Sequence, residues 1–137
     1  MNFSSIENSN FKVAIYIRLS REDGDKQESE SIGNQRDIIM RYIKENNLQF
    51  IDEYVDDGVS GTTFDRPGFN RMIEDIENGK INMVITKDLS RLGRDYIKTG
   101  YYIENYFPEK RVRYVSILDG VDTYNDTVNN DITPFKA

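Results

Sequence analysis

The run INMVIT, Ile81 to Thr86, is apolar without alternation and passes straight into KDLSRLGRD. A strand with no polar side must be covered on both faces, the condition found in the middle of a parallel sheet flanked by helices. Parallel neighbours in turn require long crossover connections, usually helical. The rest of the chain supplies them. KVAIYIRL alternates through Val13, Ile15, Ile17 and Leu19 and reads as a first strand. Ser31 can cap a helix that places Ile32, Gln35, Ile39, Tyr42 and Ile43 on one stripe, and FIDEYV follows as a second strand. Asp65 can cap a helix from about Pro67 to Asn78, with Phe69, Met72, Ile73 and Ile76 inward and Gly79 as its left-handed stop. After INMVIT, a third helix is expected over about Asp95 to Phe107, stopped by Pro108, and then a fourth strand, RYVSIL. This alternation predicts an α/β fold with a mainly parallel, four- to five-stranded sheet and helices on both faces.

The 137 residues suit one compact domain. The chain has no cysteine and no histidine, which rules out disulfides, thiol nucleophiles, the usual zinc sites and any Ser-His-Asp triad. Asp56 with Asp57, and Asp119 with Asp122 and Asp126, lack the spacing of a cation-binding loop, so no metal is expected. A formal net charge of -6 argues against coating nucleic acid through bulk attraction, although it constrains a local anion site only weakly. The start, MNFSSIENSNFK, lacks the basic and apolar regions of a signal peptide, and no run approaches membrane-spanning length. A soluble, cytoplasmic protein is therefore expected. The polar tail DGVDTYNDTVNNDITPFKA closes no element and reads as leading into a longer chain.

Ligand sites of open α/β sheets lie beyond the carboxyl ends of the strands. The loops leaving the first three strands carry Arg18-Leu19-Ser20-Arg21, then Asp57 with Ser60, Gly61 and Arg66 in a Gly/Ser/Thr-rich loop read as mobile, and then Lys87-Asp88 with Arg91 and Arg94. Arg18 and Ser20, two apart, leave a strand on the same face. Guanidinium groups grip phosphate oxygens two at a time and stay charged at any working pH. Several of them converging would stabilise a five-coordinate phosphorus, where one preorganised donor is worth about 10²–10³ in rate. The pattern points to phosphoryl transfer, with a serine hydroxyl available as nucleophile. Taken singly, Ser20 also fits a turn or cap residue, Arg18 a surface ion pair, and RLGRD an ordinary helix start. The aromatic stripe Tyr101, Tyr102, Tyr106 and Phe107 fits core or subunit contact better than base stacking.

Taken together, YIRLS, NQRDII, DDGVSGTTFDRPGF and KDLSRLGRD, in this order over residues 12 to 107, resemble the serine recombinases of the resolvase/invertase group. NNDITPF and the long loop after the first strand are similar to the large members, the serine integrases and transposases of mobile elements. The resemblance implies a resolvase-like catalytic domain over 12-125, an N-terminal extension over 1-11, and the start of a connection to further domains over 126-137. It implies that Ser20 attacks a DNA phosphodiester to give a 5'-phosphoserine link. It also implies that Arg18, Arg66, Arg91 and Arg94 surround the phosphate, that Tyr16 and Gln35 support the site, and that Asp57 orients an arginine. Ser90 stands where many relatives have aspartate, with Asp88 two positions earlier as the nearby carboxylate. No general acid or base is assigned. Relatives need neither ATP nor a metal, so no cofactor is expected. The implied partners are DNA, met at attachment sites mainly through later domains, and further copies of the chain, in a dimer and then a synaptic tetramer. By itself this stretch is expected to bind DNA poorly, to be a monomer or weak dimer, and not to recombine. The alternatives are a recombinase-like module that no longer cuts and a flavodoxin-like nucleotide binder. The latter lacks the Gly-rich GxGxxG and GxxxxGKS fingerprints.

Overall fold

The computed structural model describes residues 10–20 and 31–124. Strand β1 (Lys12–Leu19) is followed by helix α1 (Ile32–Glu45), β2 (Gln49–Asp57), α2 (Pro67–Glu77), β3 (Met83–Thr86) and the single turn α3 (Leu89–Leu92). Helix α4 (Tyr96–Tyr101) continues through a π-turn, Tyr102–Tyr106, into α5 (Phe107–Glu109), and β4 (Arg113–Ser116) and β5 (Val121–Asp122) close the fold. The strand order is β2-β1-β3-β4-β5, with the first four strands parallel and β5 antiparallel to β4. The expected α/β architecture is the one observed. Among the described residues, no helix is long and apolar enough to cross a membrane.

Alternation along the strands divides the interior into two layers. Val13, Ile15 and Ile17 of β1 face one way and pack with Met83, Ile85 and Val115 against Ile39 and Ile43 of α1. Ala14 and Tyr16 face the other way and pack with Val84 and Tyr114 against Phe69 and Met72 of α2 and Phe107 of α5. Register fixes which residues share a face: Tyr16 lies opposite Tyr54 and Arg18 opposite Asp56, after an irregularity at Val13/Ala14. β3 is buried at every position, as its unbroken apolar run requires.

Ser31 caps α1, its Oγ accepting from the Asn34 amide at 3.0 Å, and Gly79 ends α2 with φ of 77°. Three local expectations are corrected. Asp65 does not cap α2; its exposed backbone position is succeeded by Arg66 as N-cap without a side-chain bond. The cap comes instead from Asp56, whose Oδ1 and Oδ2 accept from the Gly68 and Phe69 amides at 2.7 and 2.9 Å. The third helix does not stop before Pro108. At the π-turn the Phe107 amide donates to the Tyr102 carbonyl, five residues back, and this wider turn takes the proline within a continuous helical path. The stretch after Ile117 is not free of structure, since Val121 and Asp122 pair with Ser116 and Val115. The connection placed over 126–137, most of the N-terminal extension and the loop after β1 lie outside the described residues.

Candidate active site

The carboxyl ends of β1, β2 and β3 bring together most of the residues singled out above. Arg18, in the last turn of β1's pleat, is fully buried. Its Nη2 donates to the Ser90 carbonyl at 2.6 Å, its Nε to the Arg91 carbonyl at 3.3 Å and its Nη1 to the Val59 carbonyl at 3.0 Å. The clasp is reciprocal: Arg91 Nη1 donates to the Arg18 carbonyl at 3.2 Å, and Gln35 Nε2 reaches the same oxygen at 3.2 Å. The next carbonyl, that of Leu19, accepts from the Gly58 and Val59 amides. The backbone leading into Ser20 is thus pinned on both sides, and Ser20, 2% exposed, sits directly beyond the strand.

Arg66 is also fully buried. It donates through Nε to the Thr63 carbonyl at 2.6 Å and through Nη1 to the Tyr16 hydroxyl at 2.9 Å, and its guanidinium carbon lies 4.4 Å from the centre of the Phe64 ring. Its Nη2 is buried with no hydrogen-bond partner among the described residues. The Tyr16 hydroxyl itself donates to Asp56 Oδ2 at 2.7 Å. Burial holds the Tyr16 hydroxyl far above its ordinary pKa, with Asp56 adding to the rise and Arg66 opposing it. Tyr16 therefore acts as a protonated relay between carboxylate and guanidinium.

Asp88 caps α3, its Oδ1 accepting from the Arg91 amide at 3.2 Å and from the Ser90 hydroxyl at 2.6 Å, with Arg91 Nε 3.6 Å away. Arg94 is exposed at the rim, and its amide donates to the Gly61 carbonyl at 2.6 Å. Gly61 touches both cations: a Cβ there would stand 2.7 Å from Arg18 Nη2 and 2.8 Å from Arg94 Cγ. The loop read as mobile is therefore tied to β1 and to the α3–α4 connection. Arg18 feels the other three arginines. The Arg18 pKa is pulled down to about 10, by burial first and then by repulsion from Arg66, Arg94 and Arg91, which still leaves it a cation at neutrality. Such a cluster favours whatever negative charge enters it.

One expected residue does not join. Asp57 is exposed at the end of β2, and the carboxylate that steers an arginine is its neighbour Asp56, 3% exposed, acting through Tyr16. The signal that could have found Asp56 is period-2 alternation, which separates the two aspartates onto opposite faces once the β1–β2 register is known.

Residues 13–134 match the sequence profile of the resolvase N-terminal domain family. The chain belongs to that family. Among solved structures, this resolvase-family domain is similar to the N-terminal catalytic domain of TP901-1 integrase, with a TM-score of 0.77 and 32% identity, covering 88% of this chain and 87% of that one. It is also similar to a resolvase family site-specific recombinase from Streptococcus pneumoniae, with a TM-score of 0.70 and 26% identity over 89% of this chain and 82% of that one. The C-terminal catalytic domain of ISC1926 TnpA, an IS607-like serine recombinase, shares the fold at a TM-score of 0.65 and 21% identity over 88% of this chain and 78% of that one. A Bacillus subtilis (strain 168) protein named "Putative DNA recombinase" is 39% identical over 82 residues, 60% of this chain. The chain matches only 16% of that protein's length.

Proposed function

We propose that this resolvase-family domain cuts and rejoins DNA, with Ser20 as nucleophile. The Ser20 Oγ–phosphorus bond forms as the bond from phosphorus to the 3'-oxygen breaks. The serine proton is lost and the 3'-oxygen gains one, leaving a 5'-phosphoserine ester and a free 3'-hydroxyl. Attack by a 3'-hydroxyl on the ester reverses these changes and frees the serine. One phosphoester replaces another, so bond energy is retained and the cycle is closed without a cofactor.

The observation that carries this reading is the gathering of Arg18, Arg66, Arg91 and Arg94 at the end of β1, close enough to depress the Arg18 pKa, with Arg66 Nη2 buried and lacking a partner among the described residues. In this role the four cations stabilise the five-coordinate phosphorus. Tyr16 orients Arg66, Gln35 helps fix the strand end, and Asp88 sets Arg91. The finer reading is a site-specific recombinase of integrase or transposase type, acting in the cytoplasm. Its residues 12–125 form the catalytic domain, later parts of the protein recognise attachment sites, and copies assemble as a dimer and then a synaptic tetramer. Likeness to an integrase catalytic domain and to a site-specific recombinase supports it.

The test is to incubate the intact protein with a nicked attachment-site duplex and look for a protease-sensitive protein–DNA adduct. The expected result is an adduct with wild-type protein and none with Ser20→Ala. An adduct that survives the substitution removes Ser20 from the mechanism, and absence of any wild-type adduct favours a module that no longer cuts.

A further inference from the structure

A four-residue helix cannot hold itself in place, because a single turn closes too few hydrogen bonds to offset the dihedral freedom it fixes. Yet α3 is the element on which the arginine cluster rests. The carbonyls of Ser90 and Arg91 receive the Arg18 guanidinium, and Arg91 projects from the same turn to grip the Arg18 carbonyl. Asp88 restrains this turn from within. Besides Arg18 itself and Thr86, whose Oγ1 donates to the Asp88 carbonyl at 2.9 Å, a restraint from elsewhere in the chain comes from the β4–β5 turn: Asp119 Oδ2 accepts the Leu89 amide, the first of α3, at 2.6 Å. The same oxygen accepts the hydroxyl of Ser116, fully buried at the end of β4, at 2.7 Å. Ser116 is a fixed point of the sheet, paired in register with Thr86 of β3. Asp119 therefore connects the rigid sheet to the first amide of the turn that carries Arg91 and seats Arg18.

We propose that Asp119 is a positioning residue for strand cleavage, setting Arg91 and Arg18 through the backbone of α3. This rests on the function proposed above. Misplacing a reacting group by about 1 Å can cost 10²-fold in rate. Accordingly, Asp119→Ala in the intact protein is expected to slow adduct formation on the nicked duplex about 10- to 100-fold at saturating protein, with DNA affinity changed less than about twofold. Asp119→Asn keeps an acceptor oxygen and is expected to restore the rate to within about threefold. Ile76→Val, a small core change in α2 away from the site, serves as the stability control and is expected to cleave at the wild-type rate per folded molecule. A second readout does not depend on cleavage. In the ¹⁵N-labelled chain, the Arg18 Nε–H is held by the Arg91 carbonyl, and Asp119→Ala is expected to speed its exchange with solvent at least about tenfold relative to the Ile76→Val control. Wild-type cleavage by Asp119→Ala, or unchanged Arg18 Nε–H exchange, overturns the proposal. Loss of the adduct in wild-type protein, or its survival in Ser20→Ala, strikes the function proposed above, and the exchange measurement still decides the role of Asp119.

Discussion

The two rims of the sheet both bury arginine, and they treat it in opposite ways. At the amino rim Arg113, the first residue of β4, meets Asp122 in a two-pronged pair at 3.0 and 2.7 Å, between the rings of Phe11 and Tyr124, each 5.0 Å from its guanidinium. Charge there is matched by charge. At the carboxyl rim Arg18 is held by three carbonyls and Arg66 by a carbonyl and a phenol, so the donors that are bonded meet neutral acceptors, and among the described residues no carboxylate pairs with either cation. Arg91, by contrast, has the Asp88 carboxylate at 3.6 Å. Geometry alone would not separate the rims; the source of the acceptor does. Carbonyls orient a guanidinium and leave its charge for an incoming anion, whereas a carboxylate uses that charge up.

Asp56→Ala is the most severe way to disturb this arrangement. It strips the acceptor from two amides and the Tyr16 hydroxyl, all buried, and is expected to lower unfolding free energy by about 3–5 kcal/mol, read by urea denaturation, while releasing Arg66. A loss under about 1 kcal/mol would mean that the Asp56 network does not hold the carboxyl rim. Arg113→Ala leaves Asp122 without its partner and is expected to cost about 2–3 kcal/mol while leaving adduct formation per folded molecule unchanged; slower chemistry would erase the contrast between the rims. Gly61→Ala reverses that pattern. Its methyl group must push Arg18 or Arg94 aside, so adduct formation should fall about tenfold, equivalent to about 1.4 kcal/mol of barrier, with thermal stability nearly preserved. The smallest effect belongs to Arg36→Ala. Its two-pronged pair with Glu53 is partly solvated, and such pairs contribute about 0–1 kcal/mol, so neither stability nor cleavage should move much.

Much of this architecture could be read along the chain, because local rules govern where INMVIT is buried, where Ser31 starts a helix and where Gly79 stops one. The misreadings share a cause: the deciding partner lies far away in sequence. Asp65 looks like the cap of α2 by position, yet the amides it would serve are taken by Asp56 from the preceding strand. Pro108 looks like a stop, yet a single wide turn absorbs it. Asp119 reads as part of an unstructured polar tail until the β4–β5 turn folds back onto α3. In the site, the arginines were legible because their charge makes them unusual in a buried loop. Asp56 was not, since its side depends on a pairing register that no local pattern encodes.

That register has a consequence for assembly of the sheet. Sliding β1 by one position would turn Tyr16 and Arg18 toward the layer filled by Ile39 and Ile43, and the guanidinium would lose the three carbonyls that now hold it. The mispaired strand would be rejected long before any DNA is met. Arg18 thus guards the topology as well as the site, and a Leu in its place would make the shifted pairing tolerable.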